Sequence, residues 1–430
     1  MRFAFLSIGL CFAVTTLVGQ PRTDALLDSI LRTSMNPLVG KIISNPDTFR
    51  LQIIYTQIDR DANNNPSFKN WYFNFDTALY FNPASTVKMP LAFLSLEKLD
   101  RFKRSGINKY TPIQFDSSYS GQVKMWYDST SENHMPSIAH FIKKAFLVSD
   151  NDAYNRMYQF LGQGYIADAL EKKGYNNSRI IRQFMGFTEE QNRNTNQVRF
   201  LSKSGKAIYT QPATRNAGAF DFSKTIKVGR GHLNSRDSLI DKPIDFTRAN
   251  NVSLEDLQGM LQAVMFPESV PVRSRFSLSK DDYAFLYQYL SQYPSETNYP
   301  KYDTAEYYDS YVKFFFRGNH RKMPANVRVF NKVGWAYGFL TDVSYVADFQ
   351  NKVEYMLAAT VYVNSDGILN DNRYEYKEMG WPFLYEVGQL VYQYELQRSR
   401  SHEPDLSKFK VRYEQRDPRD KRPSLKDIDN

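Results

Sequence analysis

The amino-acid sequence predicts a mixed α/β chain, with strand-like runs in both halves and helices between them and after them. Three observations carry this reading. Residues 71–75 (Trp-Tyr-Phe-Asn-Phe) are aromatic and strand-like, and Asn82 and Pro83 then give a cap and first-turn signal before an apolar helix at 89–94. Residues 139–147 form an apolar helical run leading into Ser149, and the pattern continues as helix from Ala153 to Leu170. Strand-like segments at 328–332, 342–347 and 355–363 follow one another and precede an amphipathic helix over about 374–396.

The 430 residues include 31 Phe, 30 Tyr and 4 Trp, enough to bury one large core or two smaller ones. Residues 1–19 read as a secretory leader, with one basic residue, an apolar run and small residues near the end. The mature chain is therefore expected to be periplasmic or secreted, with no transmembrane anchor once the leader is cleaved, and to be a monomer. Cys11 is the only cysteine and would leave with the leader, and Leu10 before it makes a poor lipid-attachment site. Disulfides, thiol catalysis and thiolate metal sites are then excluded. The five histidines show no metal-binding spacing, so neither a metal nor another cofactor is expected. No Gly-x-Ser-x-Gly elbow is present, which argues against an α/β-hydrolase. The net charge of +9 is spread along the chain, and no nucleic-acid motif accompanies it.

The chemistry lies in an ordered trio: Ser85-Thr86-Val87-Lys88, Ser149-Asp150-Asn151 and Lys332-Val333-Gly334. A serine hydroxyl is a weak nucleophile at neutral pH and needs a base beside it. A lysine three residues on lies one helical turn away on the same face, within reach of that hydroxyl. Ser-x-x-Lys alone is unspecific, since it also starts at Ser95, Ser277, Ser310 and Ser407. Ser85 stands apart because it falls at the first turn of a buried helix, where unpaired N–H groups favour negative charge. Pro90 interrupts that helix and is expected to bend it.

Order, spacing and context of the trio resemble the superfamily of class A β-lactamases and penicillin-binding proteins, from about Leu51 to about Leu396. The resemblance implies an α+β fold over residues 20–396: an antiparallel sheet flanked by helices, plus an all-helical subdomain over about 85–265. It implies three antiparallel strands before the last helix. It also selects Lys332 over Lys203-Ser204-Gly205 and Lys227-Val228-Gly229, because only Lys332 ends one strand and precedes two more. By resemblance Ser85 is the nucleophile, Lys88 its base, and Ser149 a proton relay toward the leaving group. Lys332 holds Ser149 and helps bind a substrate carboxylate. Asn151 hydrogen-bonds a substrate amide, and Gly334 and Trp335 line the substrate site. The oxyanion hole is expected from the backbone N–H groups of Ser85 and Trp335.

Two departures bear on the reaction. Val333 replaces a hydroxyl residue that helps bind the substrate carboxylate, and alignment of 178–182 with the arginine-bearing loop puts Phe184 where class A enzymes carry the deacylating glutamate. Glu189 and Glu190 are the nearest substitutes. The expectation is an exported serine acyl-hydrolase acting on β-lactam, peptide or ester substrates; the alternatives are a cell-wall D-alanyl peptidase or transpeptidase, or a non-catalytic penicillin-binding relative. Its partner is a small-molecule or cell-wall peptide substrate. Polar residues 185–250 and aromatic residues 283–316 read as additions; the aromatic stretch is expected to pack a helix and loop onto the domain. The charged tail, 397–430, is expected to be disordered.

Overall fold

The four segments read as strands are joined by a fifth, Gln52–Arg60, in one five-stranded antiparallel sheet. Its strands are β1 (Gln52–Arg60), β2 (Pro66–Phe73), β3 (Val327–Ala336), β4 (Phe339–Asp348) and β5 (Val353–Tyr362), in the order β3-β4-β5-β1-β2. The computed structural model describes residues 21–117, 121–184, 186–318 and 322–426. The expected leader, with Cys11, lies outside them. Strands β4 and β5 are buried along their whole length. β5 is apolar but for Glu354 and Thr360, while β4 also buries Thr341, Asp342, Ser344 and Asp348.

Helices cover the two faces. On one, α1 (Ala25–Arg32), α2 (Pro37–Ile43) and the last helix, α9 (Trp381–Gln397), bury Leu27, Ile42, Phe383 and Val387 against Ile53, Leu357 and Val361 of the sheet. On the other lie α3 (Lys88–Asp100), α4 (Ile138–Leu147), α5 (Asn151–Leu161), α6 (Gln163–Lys172), α7 (Leu254–Met265) and α8 (Lys280–Ser291). There Phe93, Phe141, Met157 and Leu261 share one core with Ile54, Val343 and Ala358. The molecule is thus an antiparallel sheet between a terminal helical layer and a larger helical part. Among the described residues, no helix is long and apolar enough to cross a membrane.

Three expectations need correction or detail. The helix read through 153–170 is two helices, because Gly162 sits at φ 80° and ends α5 before α6 begins. Within 185–250, short strands Val198–Leu201 and Ala207–Gln211 pair with each other and with Ile113–Phe115. The stretch 283–316 packs inward: Tyr302, Tyr307 and Phe314 are buried, and α8 lies against β3.

The tail beyond residue 396 is ordered and packed over 397–426, contrary to expectation. Leu406 and Phe409 are 1% exposed, and the Phe409 ring meets Tyr345, Tyr287, Phe266 and Phe330 at centroid distances of 4.8–5.7 Å. Arg398 pairs with Glu395 and Asp59, and Glu414 accepts from Lys143 at 2.8 Å. Composition misleads here because two well-placed apolar side chains and a few ion pairs anchor a segment that is otherwise polar.

Candidate active site

Ser85 is delivered by a 3₁₀ turn, Ala84–Val87, that runs directly into α3. The Asn82 side chain caps the turn by accepting from Ala84 N at 2.9 Å. Ala84 is held at φ 42°, a left-handed conformation that costs a non-glycine residue about 1–2 kcal/mol. The handover from 3₁₀ to α at Lys88 also explains how Pro90 is accommodated. It falls in the first turn of the α-helix, where its missing N–H breaks no α-helical bond.

Lys88 is fully buried and its Nζ donates to Ser85 Oγ at 2.7 Å. The same Nζ donates to Asn151 Oδ1 at 2.8 Å, to Ser149 Oγ at 3.2 Å and to the Ser149 carbonyl. Ser149 enters this cluster because it is left-handed, at φ 67°, immediately before α5. Asp150, one residue on, caps α5 by accepting from Ala153 N at 2.7 Å and pairs with Lys144 at 3.2 Å. Lys144 also lies 3.5 Å from Asp128, which contacts His140 at 3.4 Å. A buried charge network on α4 therefore stands behind the Ser149 turn.

Strand β3 closes the other side. Lys332, 1% exposed, donates to Ser149 Oγ at 2.9 Å and to the Val333 carbonyl at 2.8 Å. The Ser149 hydroxyl is thus bracketed by two lysine side-chain nitrogens. Gly334, two residues on and on the same face, lies against the Ser85 turn. A methyl group there would stand 2.6 Å from Pro83 O and 2.9 Å from the Ser85 and Thr86 nitrogens. Only a residue without Cβ lets strand and turn approach so closely. Lys203 sits in the exposed turn after Val198–Leu201, and Lys227 is exposed on a short outer strand pairing with Ile244–Asp245. Of the three candidate lysines, Lys332 is the one that meets Ser149.

Ser85, half-buried, opens into a cleft of about 760 Å³. Asn82, Ser149, Asn151, Phe184, Trp335 and Tyr337 line it together with Ser85. Residues sequence reasoning did not single out complete it: Arg182, Gln183 and Arg248, Asn250, and Tyr374 and Tyr376 from the approach to α9. Among the described residues lining the cleft, Asp245 is the only carboxylate. Phe184 stands beside Lys88 in the cleft. Its ring centroid is 4.9 Å from Lys88 Nζ and it stacks on Tyr154 at 4.2 Å. Asn155, buried on α5, holds the Phe184 backbone at both ends, accepting from its N at 2.8 Å and donating to its O at 3.1 Å. Asn155 is one helical turn after Asn151, a spacing that marks it on the same face.

Glu189 and Glu190 stand apart from the cleft lining. Glu189 pairs with Arg248 at 2.6 Å, and Glu190 forms a two-pronged pair with Arg215 at 2.6 and 3.0 Å. The hydrogen bond from Arg215, with one from Asn194, lowers the Glu190 pKa to about 2, far from that of a general base working near neutrality.

Residues 47–217 match the family model described as the beta-lactamase enzyme family. That segment carries Ser85, Lys88, Ser149 and Asn151, and over those residues the match bears out the resemblance to β-lactamases. Solved structures with a similar fold include a class A β-lactamase representing the last common ancestor of Gram-negative bacteria. It is 15% identical, with 86% of this chain and 99% of that one covered, at a TM-score of 0.45. A β-lactamase from Desulfarculus baarsii is 14% identical, covering 87% and 98%, also at 0.45. PBP-A is 14% identical, covering 87% and 97%, again at 0.45. No curated protein matches the chain.

Proposed function

We propose that the protein is an exported serine acyl-transfer enzyme that forms an acyl-enzyme on Ser85 and releases it slowly. The observation that carries this reading is the position of Lys88 Nζ, in contact with both Ser85 Oγ and Ser149 Oγ, with Lys332 on the far side of Ser149. With its amine neutral, Lys88 takes the Ser85 proton as Oγ attacks a carbonyl carbon. The developing oxyanion is met by the Ser85 and Trp335 N–H groups. The departing nitrogen or oxygen then receives a proton from Ser149 Oγ, which is re-protonated from the lysine pair, and the bond to the leaving group breaks. Asn151 orients an amide of the substrate, and Lys332 attracts its carboxylate.

Release of the acyl group needs a water and a base held together, and general-base help is typically worth about 10²–10⁴ in rate. Phe184 offers neither a proton acceptor nor a water anchor. This favours a cell-wall D-alanyl peptidase or transpeptidase, or an esterase, over an efficient β-lactamase. Labelling with a fluorescent penicillin, followed by intact-mass and peptide mass spectrometry over time, tests both parts. A stable adduct on Ser85 is expected. No adduct, or one on another serine, overturns the assignment; rapid loss of the Ser85 adduct overturns the slow release.

A further inference from the structure

Most of the cleft is explained by acyl transfer at Ser85, but its cationic wall is not. Arg182 and Arg248 both line the cleft, on the part built by residues 182–184 and 244–250 rather than by β3. Arg182 gives one N–H to the Phe187 carbonyl at 2.9 Å, and Arg248 stacks on Phe222 at 4.4 Å and pairs with Glu189. A guanidinium has five N–H donors in a planar fork that suits a carboxylate. The side chains of Arg248 and Glu189 are 57% and 51% exposed, so their pairing is of the weak kind that solvent screens. A substrate carboxylate can exchange for Glu189 at little cost. At the same time Val333 has removed a hydroxyl from the β3 side of the site.

We infer that Arg248, assisted by Arg182, forms an anion subsite that recognises a carboxylate on the acyl portion of the substrate. This deepens the acyl-transfer reading and rests on it. Ser149 and Lys332 stand on the leaving-group side of the attacked carbonyl, so the acyl portion runs along the wall of Phe184, Asn250 and the two arginines. The substrate class is then an acidic acyl donor, carrying one carboxylate near Lys332 and a second at Arg248. A purely structural latch between the two loops is the competing explanation, and the two make opposite statements about Glu189.

The test compares benzylpenicillin with its α-carboxy counterpart, reading the Ser85 acylation rate constant of each and the ratio between them. Arg248→Gln is expected to lower the carboxy-to-neutral ratio about 10–100-fold, the loss of one charge-assisted contact. Glu189→Gln, which frees Arg248, is expected to raise it. If both variants shift the ratio in the same direction, or neither does, the subsite is refuted and the pair is a latch. Calorimetric titration of the Ser85→Ala variant with the same two compounds reads binding without chemistry. Tighter binding of the α-carboxy compound supports the subsite even where acylation fails. Acylation without such preference overturns the subsite alone. Absence of both acylation and binding overturns the acyl-transfer reading along with it.

Discussion

At the scale of single residues, the third motif has the sharpest consequence. Lys332→Ala should slow acylation of Ser85 by about 10²–10³, the usual cost of removing a group aimed at developing charge. Lys203→Ala and Lys227→Ala should leave it within about threefold, since neither meets Ser149. Labelling rates of the three variants decide the matter, and equal losses would refute the role given to β3. Gly334→Ala should be as damaging to labelling as Lys332→Ala, because the atoms its Cβ would strike are backbone atoms of Pro83, Ser85 and Thr86 and cannot swing aside. Unimpaired labelling of that variant would mean the turn and strand separate freely. These positions were legible in the sequence because chemistry there depends on residue type at short spacing. Asn155 and Arg248 were not, since a clamp on another loop's backbone and a cleft-lining guanidinium become visible only when distant segments are brought together.

Elements explain two further behaviours. The segment from Arg182 to Arg193 presents Phe184 to Lys88 and turns Glu189 and Glu190 toward arginines. A chromogenic β-lactam should therefore give a burst followed by a steady rate far below the 10–10³ per second of good enzymes. Glu190→Gln should not change that steady rate; if it did, Glu190 would be the missing base. Helix α4 carries a different property. Burial above all, with the charges of Lys144 and Lys143, lowers the His140 pKa against the pull of Asp128. The unfolded imidazole takes up its proton near pH 6.5, while the native one stays neutral to lower pH. Acidification below about 6.5 therefore favours the unfolded chain. Asp128 adds to the same trend at lower pH, since the His140 hydrogen bond and the Lys144 charge outweigh its burial and hold its pKa down. Melting temperature should fall between pH 7 and 5, and fall less in His140→Gln. An equal slope in the variant would assign the acid sensitivity elsewhere. Periodicity disclosed α4 and α5 as helices, yet it could not disclose Gly162 as their successor's boundary, because a single glycine interrupts an apolar pattern without erasing it.

Across the whole molecule, the packed tail ties α7, α8 and the sheet together through one aromatic side chain. Phe409→Ala should destabilise the protein by about 3–5 kcal/mol, the range for emptying a buried aromatic site, measured by chemical denaturation. A change below about 1 kcal/mol would mean that residues 397–426 rest on the surface without supporting it. The order of the main sheet has a consequence for how the molecule comes into being. Strand β1 pairs with β2, its neighbour in sequence, and with β5, which begins at Val353. A nascent chain holding only its first two-thirds has both serines and Lys88 but lacks the partner for one edge of β1, and it lacks Lys332. Such strand pairing across a long sequence separation is slow to form. The cluster of Ser85, Lys88, Ser149 and Lys332 is therefore completed late, with the last strands, and a growing or truncated chain lacks it.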